Sequence, residues 1–140
     1  MVNMKMDFKD ETGAVYPLAL FLIPVLIVLA GLIIDIGMGV YQHTKLTSAV
    51  DAAAIATLDA YDREKWEEDE IIEIDPSRAR GLAASYLSRN MPNATIKLIQ
   101  VDDTEVTVEA EATAQLFIMP MFGRHDMTLE AMARASLDDD

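Results

Sequence analysis

The sequence predicts an α+β protein: a long N-terminal helix that serves first as a transmembrane anchor and then as a stem, a second short helix, and a three-stranded antiparallel sheet. Three observations carry this. Between Glu11 and Asp35 no residue is charged, and Leu18 to Ile34 is apolar throughout apart from Pro24 and Gly31. Apolar residues then recur at helical spacing past Gly39, and the C-terminal third alternates apolar and polar residues with the period of two that strands require.

The uncharged stretch holds 23 residues, which as a helix would cover about 34 Å, near the roughly 30 Å of a bilayer's hydrocarbon. A cleaved signal would have a shorter apolar region and a small-x-small cleavage site. Here the helical pattern runs on past the apolar end, which predicts a retained anchor over residues 14–40. Pro17 is expected in the tolerated first turn, and Pro24 is expected to remove a backbone hydrogen bond and kink the span. Lys5 and Lys9 precede the span, and Lys45 alone follows it within twenty residues of Asp35. That asymmetry predicts residues 1–13 in the cytoplasm and the C-terminal domain outside, at a bacterial cytoplasmic membrane crossed once.

An amphipathic stem is expected over residues 41–66. Leu46, Val50, Ala53, Ala54, Leu58 and Tyr61 share a face, and Ala52, Ala56 and Ala60 repeat at intervals of four. Small residues let a neighbouring backbone approach closely, which makes Leu46, Ala49, Val50, Ala52, Ala53, Ala56 and Ala60 candidates for packing a partner helix. The competing expectation is that this face covers the chain's own sheet. Asp35 closes the apolar stretch and is read as the membrane boundary, against the alternative of a carboxylate pairing with a partner's cation.

An acidic linker is expected over residues 67–75, within Glu64 to Asp75. It lacks the glycine and alternating oxygens of a calcium loop. Asp75 is suited to cap a helix opening at Pro76, whose Ala79, Leu82, Ala83, Tyr86 and Leu87 share one face and which should stop at Asn90. Residues 76–140 form the outer α+β domain. Ala94 to Val101 is β-rich but alternates poorly, which suggests a central strand or one buried on both faces. In the strand from Glu105 to Leu116, Val106, Val108, Ala110, Ala112, Ala114 and Leu116 oppose Glu105, Thr107, Glu109, Glu111 and Thr113. Met127 to Leu137 repeats the pattern, and Asp102-Asp103 signals the first turn.

The segment from Phe117 to Gly123 is an unusually apolar connection. Phe117, Ile118, Met119, Met121 and Phe122 are therefore a candidate contact loop, with closure of a small core as the alternative.

Composition narrows the function. A formal charge of −13 repels phosphate backbones and excludes nucleic acid as a partner. Without cysteine there is no disulfide, thiolate metal site or cysteine nucleophile. His43 and His125 lie far apart, and neither a phosphate-cradling glycine loop nor a nucleophile elbow occurs. No enzyme activity, cofactor or metal is expected.

The N-terminal third resembles the TadE/TadG-like proteins of the tight-adherence (Flp) pilus assembly system. The resemblance lies in Gly13-Ala14-Val15 opening the apolar run, Gly31 and Asp35-x-Gly37 closing it, Tyr41 and Leu46 in the stem, and Asp51-Ala52-Ala53-Ala54 completing it. It implies a pilin-like plan and a structural or assembly role beside other pilus-assembly proteins, with self-association included. Gly13-Ala14 stands where processed pilin-like members are cleaved. Five residues beyond that glycine such members carry glutamate, whereas this chain has Leu18. The likeness is accordingly to the unprocessed TadG-type member. The alternative function is a tethered surface domain that binds a soluble partner or ligand.

Overall fold

The computed structural model describes residues 12–69 and 73–137. The expected cytoplasmic segment therefore lies outside the described residues except for its last two. So do Lys5 and Lys9, and so does the middle of the acidic linker, residues 70–72.

Helix α1 (Thr12–Thr57) is one continuous helix of 46 residues, about 69 Å long at about 1.5 Å per residue. It begins early enough that Pro17 lies inside it rather than in its first turn, and it continues through Pro24. Its two halves live in different surroundings. Of its most apolar 18-residue window only 6% is buried, so this part is not the core helix of a globular domain. The second half is packed against β3 (Asp126–Ser136), α3 (Pro76–Asn90) and β2 (Glu105–Gln115).

The helix stops short of the stem boundary expected at residue 66. It tightens into a 3-10 turn over Leu58–Ala60, and Tyr61 is extended and bridges to Ile74. The hydrogen bonds Asp62 N–H to Glu73 O and Asp75 N–H to Ala60 O, both 2.9 Å, close the base of an excursion. Inside it a seven-residue helix, α2 (Arg63–Asp69), replaces the first part of the expected linker. Asp62 starts α2 by accepting the Glu64 N–H at 3.1 Å.

Helix α3 has the predicted bounds. The Asp75 carboxylate accepts the Ser77 N–H at 2.8 Å and the Arg78 N–H at 3.3 Å, satisfying two of the donors a helix start leaves open. Ala79, Ala83 and Leu87 turn into the core, whereas Tyr86, expected on that face, is exposed.

The sheet has the order β1-β2-β3, all antiparallel, with β1 spanning Ala94–Val101. Strand β1 is an edge, which corrects the expectation of a central or doubly buried strand. Its poor alternation has a local cause: the register slips between Ile96 and Leu98, so Lys97 and Leu98 both face outward while Ile96 and Ile99 face in. The β2–β3 ladder pairs Val106 with Ala135, Val108 with Ala133 and Ala110 with Ala131. These side chains line the helix-facing surface with Ala112, Ala114 and Leu129. The mostly small residues let α1 lie close on the sheet, forming two layers around Leu46, Val50, Ala53, Leu87 and Ile74.

Candidate functional site

The predicted stem face is occupied by the chain itself. Leu46, Ala49, Val50, Ala53, Ala56 and Ala60 are buried and Ala52 is half-buried. Most of them pack among the sheet and α3 residues of the core. Their burial is against the sheet and α3 together rather than against the sheet alone. The apolar side chains α1 leaves uncovered lie mostly earlier, among them Leu20, Phe21, Ile27, Ile33 and, past Asp35, Ile36 and Tyr41, with Ile55 near its end.

The best-built polar site is at the junction between these halves. Gly31, Asp35 and Gly39 follow one another at intervals of four and form a buried strip along α1. Onto this strip folds the connection from β2 to β3. The Asp35 carboxylate accepts the backbone N–H groups of Phe117, Ile118 and Met119, at 2.6, 2.8 and 2.8 Å. Such charge-assisted bonds to backbone donors are about twice as strong as neutral ones. Asp35 is only 3% exposed, and the three donors replace the water it has lost. A side chain at Gly31 would overlap Ile118, and one at Gly39 would come within 2.7 Å of the Met127 methyl. Both glycines thus make room for the docked segment.

The connection is itself tightly folded. Met119–Phe122 forms a 3-10 turn that ends at Gly123, whose φ of 86° a residue with a side chain rarely adopts. The Met121 N–H reaches Ile118 O at 3.0 Å, and the Gly123 and Arg124 N–H groups reach Pro120 O and Met119 O at 3.1 Å. Of the predicted loop residues, Ile118 and Met119 turn partly inward, whereas Phe117, Met121 and Phe122 are exposed. Beside the turn lies a mainly apolar groove of about 210 Å³, lined by Leu32, Ile36, Leu116, Met119 and Met127 with Asp35, Arg124 and Asp126.

Residues 13–60 match the family described as "Putative Flp pilus-assembly TadE/G-like". This TadE/G-like module is a third of the chain and covers the uncharged helix, the Gly31-Asp35-Gly39 strip and the buried stem. The three-stranded sheet lies C-terminal to it. No curated protein and no solved structure matches the chain. With the apolar helix exposed as it is, the module fits a single-pass membrane anchor.

Among the described residues, the rest of the surface includes paired charges. On the outer face of the sheet the Lys97 ammonium lies 2.6 Å from Glu130, 3.7 Å from Glu111 and 3.9 Å from Glu109. Arg134 pairs with Glu105 at 3.3 Å. These are strand-to-strand ion pairs in solvent. Among the described residues no group of three or more His, Cys, Asp or Glu is placed to hold a metal ion. The role of Asp35 as an acceptor for its own chain's amides escaped the sequence reading, as did Gly39. The signal available for both was the four-residue spacing of Gly31, Asp35 and Gly39.

Proposed function

We propose that this protein is a membrane-anchored structural component of a Flp/Tad pilus or a related secretion system, and that it acts through helix contacts rather than catalysis. The observation that carries the reading is the single helix α1, which joins a lipid-suited apolar half to a half built into the outer domain. The TadE/G-like match covers both halves and their junction. Because the stem face is already covered, contacts with other pilus-assembly proteins fall to the exposed apolar half, around Leu20, Ile23 and Ile27. Van der Waals packing is the main force available there. The charge asymmetry around the span supports a cytoplasmic N-terminus and an outer domain beyond the cytoplasmic membrane.

The chain has no cysteine, so single cysteines report cleanly. In cells making the pilus, Ile23→Cys and Ile27→Cys should form crosslinks to membrane proteins of the assembly machinery or to a second copy. Deleting the gene should abolish piliation and surface adherence. Normal piliation in the deletion strain would refute the assembly role. Crosslinks confined to outer-sheet positions such as Thr113→Cys would instead favour a tethered domain that binds a soluble partner.

A further inference from the structure

The connection between β2 and β3 has an outward surface that the proposed anchor role does not use. Phe117, Met121 and Phe122 are 79%, 77% and 64% exposed, an unusual condition for three large apolar side chains within six residues. Their height on the molecule is set by α1. Ile118 rests over Gly31, inside the uncharged stretch, and Asp35 holds the amides of residues 117–119 one turn further on. The neighbouring helix surface remains apolar beyond Asp35: Ile36, Met38, Val40 and Tyr41 are exposed, and the next charged residue is Lys45. Tyr41, about 9 Å past Asp35 along the helix axis, has the amphipathic character of an interfacial anchor.

Irregular backbone enters lipid only when its polar groups are satisfied within the protein. Here the N–H groups of Phe117, Ile118, Met119, Met121, Gly123 and Arg124 have partners, Pro120 has none to satisfy, Phe122 lies within the 3-10 turn, and the carbonyls of Ile118, Met119 and Pro120 accept hydrogen bonds. The Asp35 carboxylate has its own three donors. Arg124 and His125 follow the turn and are exposed, and a long cationic side chain such as Arg124 can extend toward lipid phosphates while its stem stays in apolar surroundings.

We propose that residues 117–122 form a wedge inserted into the outer leaflet of the bilayer beside α1, so that the protein contacts the membrane with its outer domain as well as its anchor. The membrane surface then lies near Tyr41 rather than at Asp35. The wedge side chains reach roughly 5–10 Å below the head groups. Continuity with the exposed helix surface assigns lipid as the occupant. This inference rests on α1 spanning the membrane, and its test separates the two.

The full-length protein is reconstituted into phosphatidylethanolamine/phosphatidylglycerol vesicles after Met121→Cys or Phe122→Cys, with a fluorescent label on the thiol. Ile27→Cys serves as a deep reference and Met132→Cys, exposed on the sheet well away from the turn, as an aqueous one. Lipids brominated near the head group should quench labels at 121 and 122 strongly, and in unlabelled samples alkylation there by an impermeant maleimide should be at least about tenfold slower than at 132. If position 27 is quenched by deeply brominated lipid while 121 and 122 behave like 132, the wedge is overturned and the anchor stands. If position 27 is also aqueous, the span itself has failed and the wedge with it. Labels at 121 and 122 that escape the lipid quencher, with the free thiols there also protected from maleimide, would mean that a protein surface covers the wedge, which also overturns the proposal.

Discussion

The Asp35 carboxylate accepts the backbone N–H of Phe117 at 2.6 Å across 82 residues of sequence. This bond and the two to Ile118 and Met119 join the end of the uncharged helix to the far end of the sheet. The C-terminal domain is consequently fixed to α1 at two places, along the Leu46–Ala60 core and again at the level of Asp35. A two-point attachment lets the domain hold a defined height and rotation relative to the anchor.

Removing the carboxylate should free the connection without unfolding the core. In Asp35→Ala, amide exchange at residues 117–119 should accelerate, and limited proteolysis should cut within 117–124, while helix content by circular dichroism is retained. Asp35→Asn should give an intermediate effect, since its amide keeps one acceptor oxygen but brings two donors toward donors. Unchanged exchange at 117–119 in both variants would show that the three bonds do not hold the segment.

Gly31 and Ile118 should be energetically coupled. Gly31→Leu places a side chain where Ile118 lies and should destabilise the protein by about 1–3 kcal/mol through overpacking. Combining it with Ile118→Ala should recover part of that loss, with a coupling energy of about 0.5–3 kcal/mol. Denaturant titration in detergent micelles of the four proteins in the cycle measures it. Simple additivity would show that the close approach is not maintained.

Leu46→Ala removes a fully buried side chain from the centre of the two-layer core and should cost about 2–5 kcal/mol. Ile55→Ala, on the exposed side of the same helix, should change stability by no more than about 0.5 kcal/mol. Equal costs at the two positions would contradict the burial pattern of α1.

Stability should fall off at both ends of the pH scale for two separate reasons. The Ser77 hydroxyl, followed by the Arg78 and Ser77 amides, holds the Asp75 carboxyl below its ordinary 3.8. Its contribution is present above that ordinary value and is lost as pH falls through the lower folded value. Glu130, by hydrogen bond and charge, raises Lys97 above its ordinary 10.5. The Lys97 contribution is complete below 10.5 and is lost as pH rises through the higher folded value. Melting curves should therefore show Asp75→Ala converging on the unsubstituted protein only below pH 3.8, and Lys97→Met converging only above pH 10.5. Convergence of either pair near neutral pH would refute the assignment.

Most of the secondary structure was legible because it follows local rules. The uncharged run dictated α1, Asp75-Pro76 started α3 and Asn90 ended it, and strict alternation placed β2 and β3. The same rules missed β1's place at the sheet edge, because a bulge at Lys97 breaks the period on which strand reading depends. They also missed the end of α1 at Thr57, since Leu58 and Tyr61 keep helical spacing and the chain is turned by non-local pairing, the Tyr61–Ile74 bridge with the Asp62–Glu73 and Asp75–Ala60 hydrogen bonds.

By itself the sequence determined that this chain carries a membrane-suited helix, that the helix runs on into an alanine-rich stem, and that an acidic α+β domain follows. Those properties depend on residues close together in the chain, through charge, apolar length and periodicity. Only the tertiary structure decided that most of the stem alanines are buried against the chain's own sheet and α3, and that Asp35 and Gly31 receive the 117–119 segment. A periodic face shows that it will be buried but leaves open what covers it. A carboxylate likewise does not disclose which amides, 82 to 84 residues distant, will reach it.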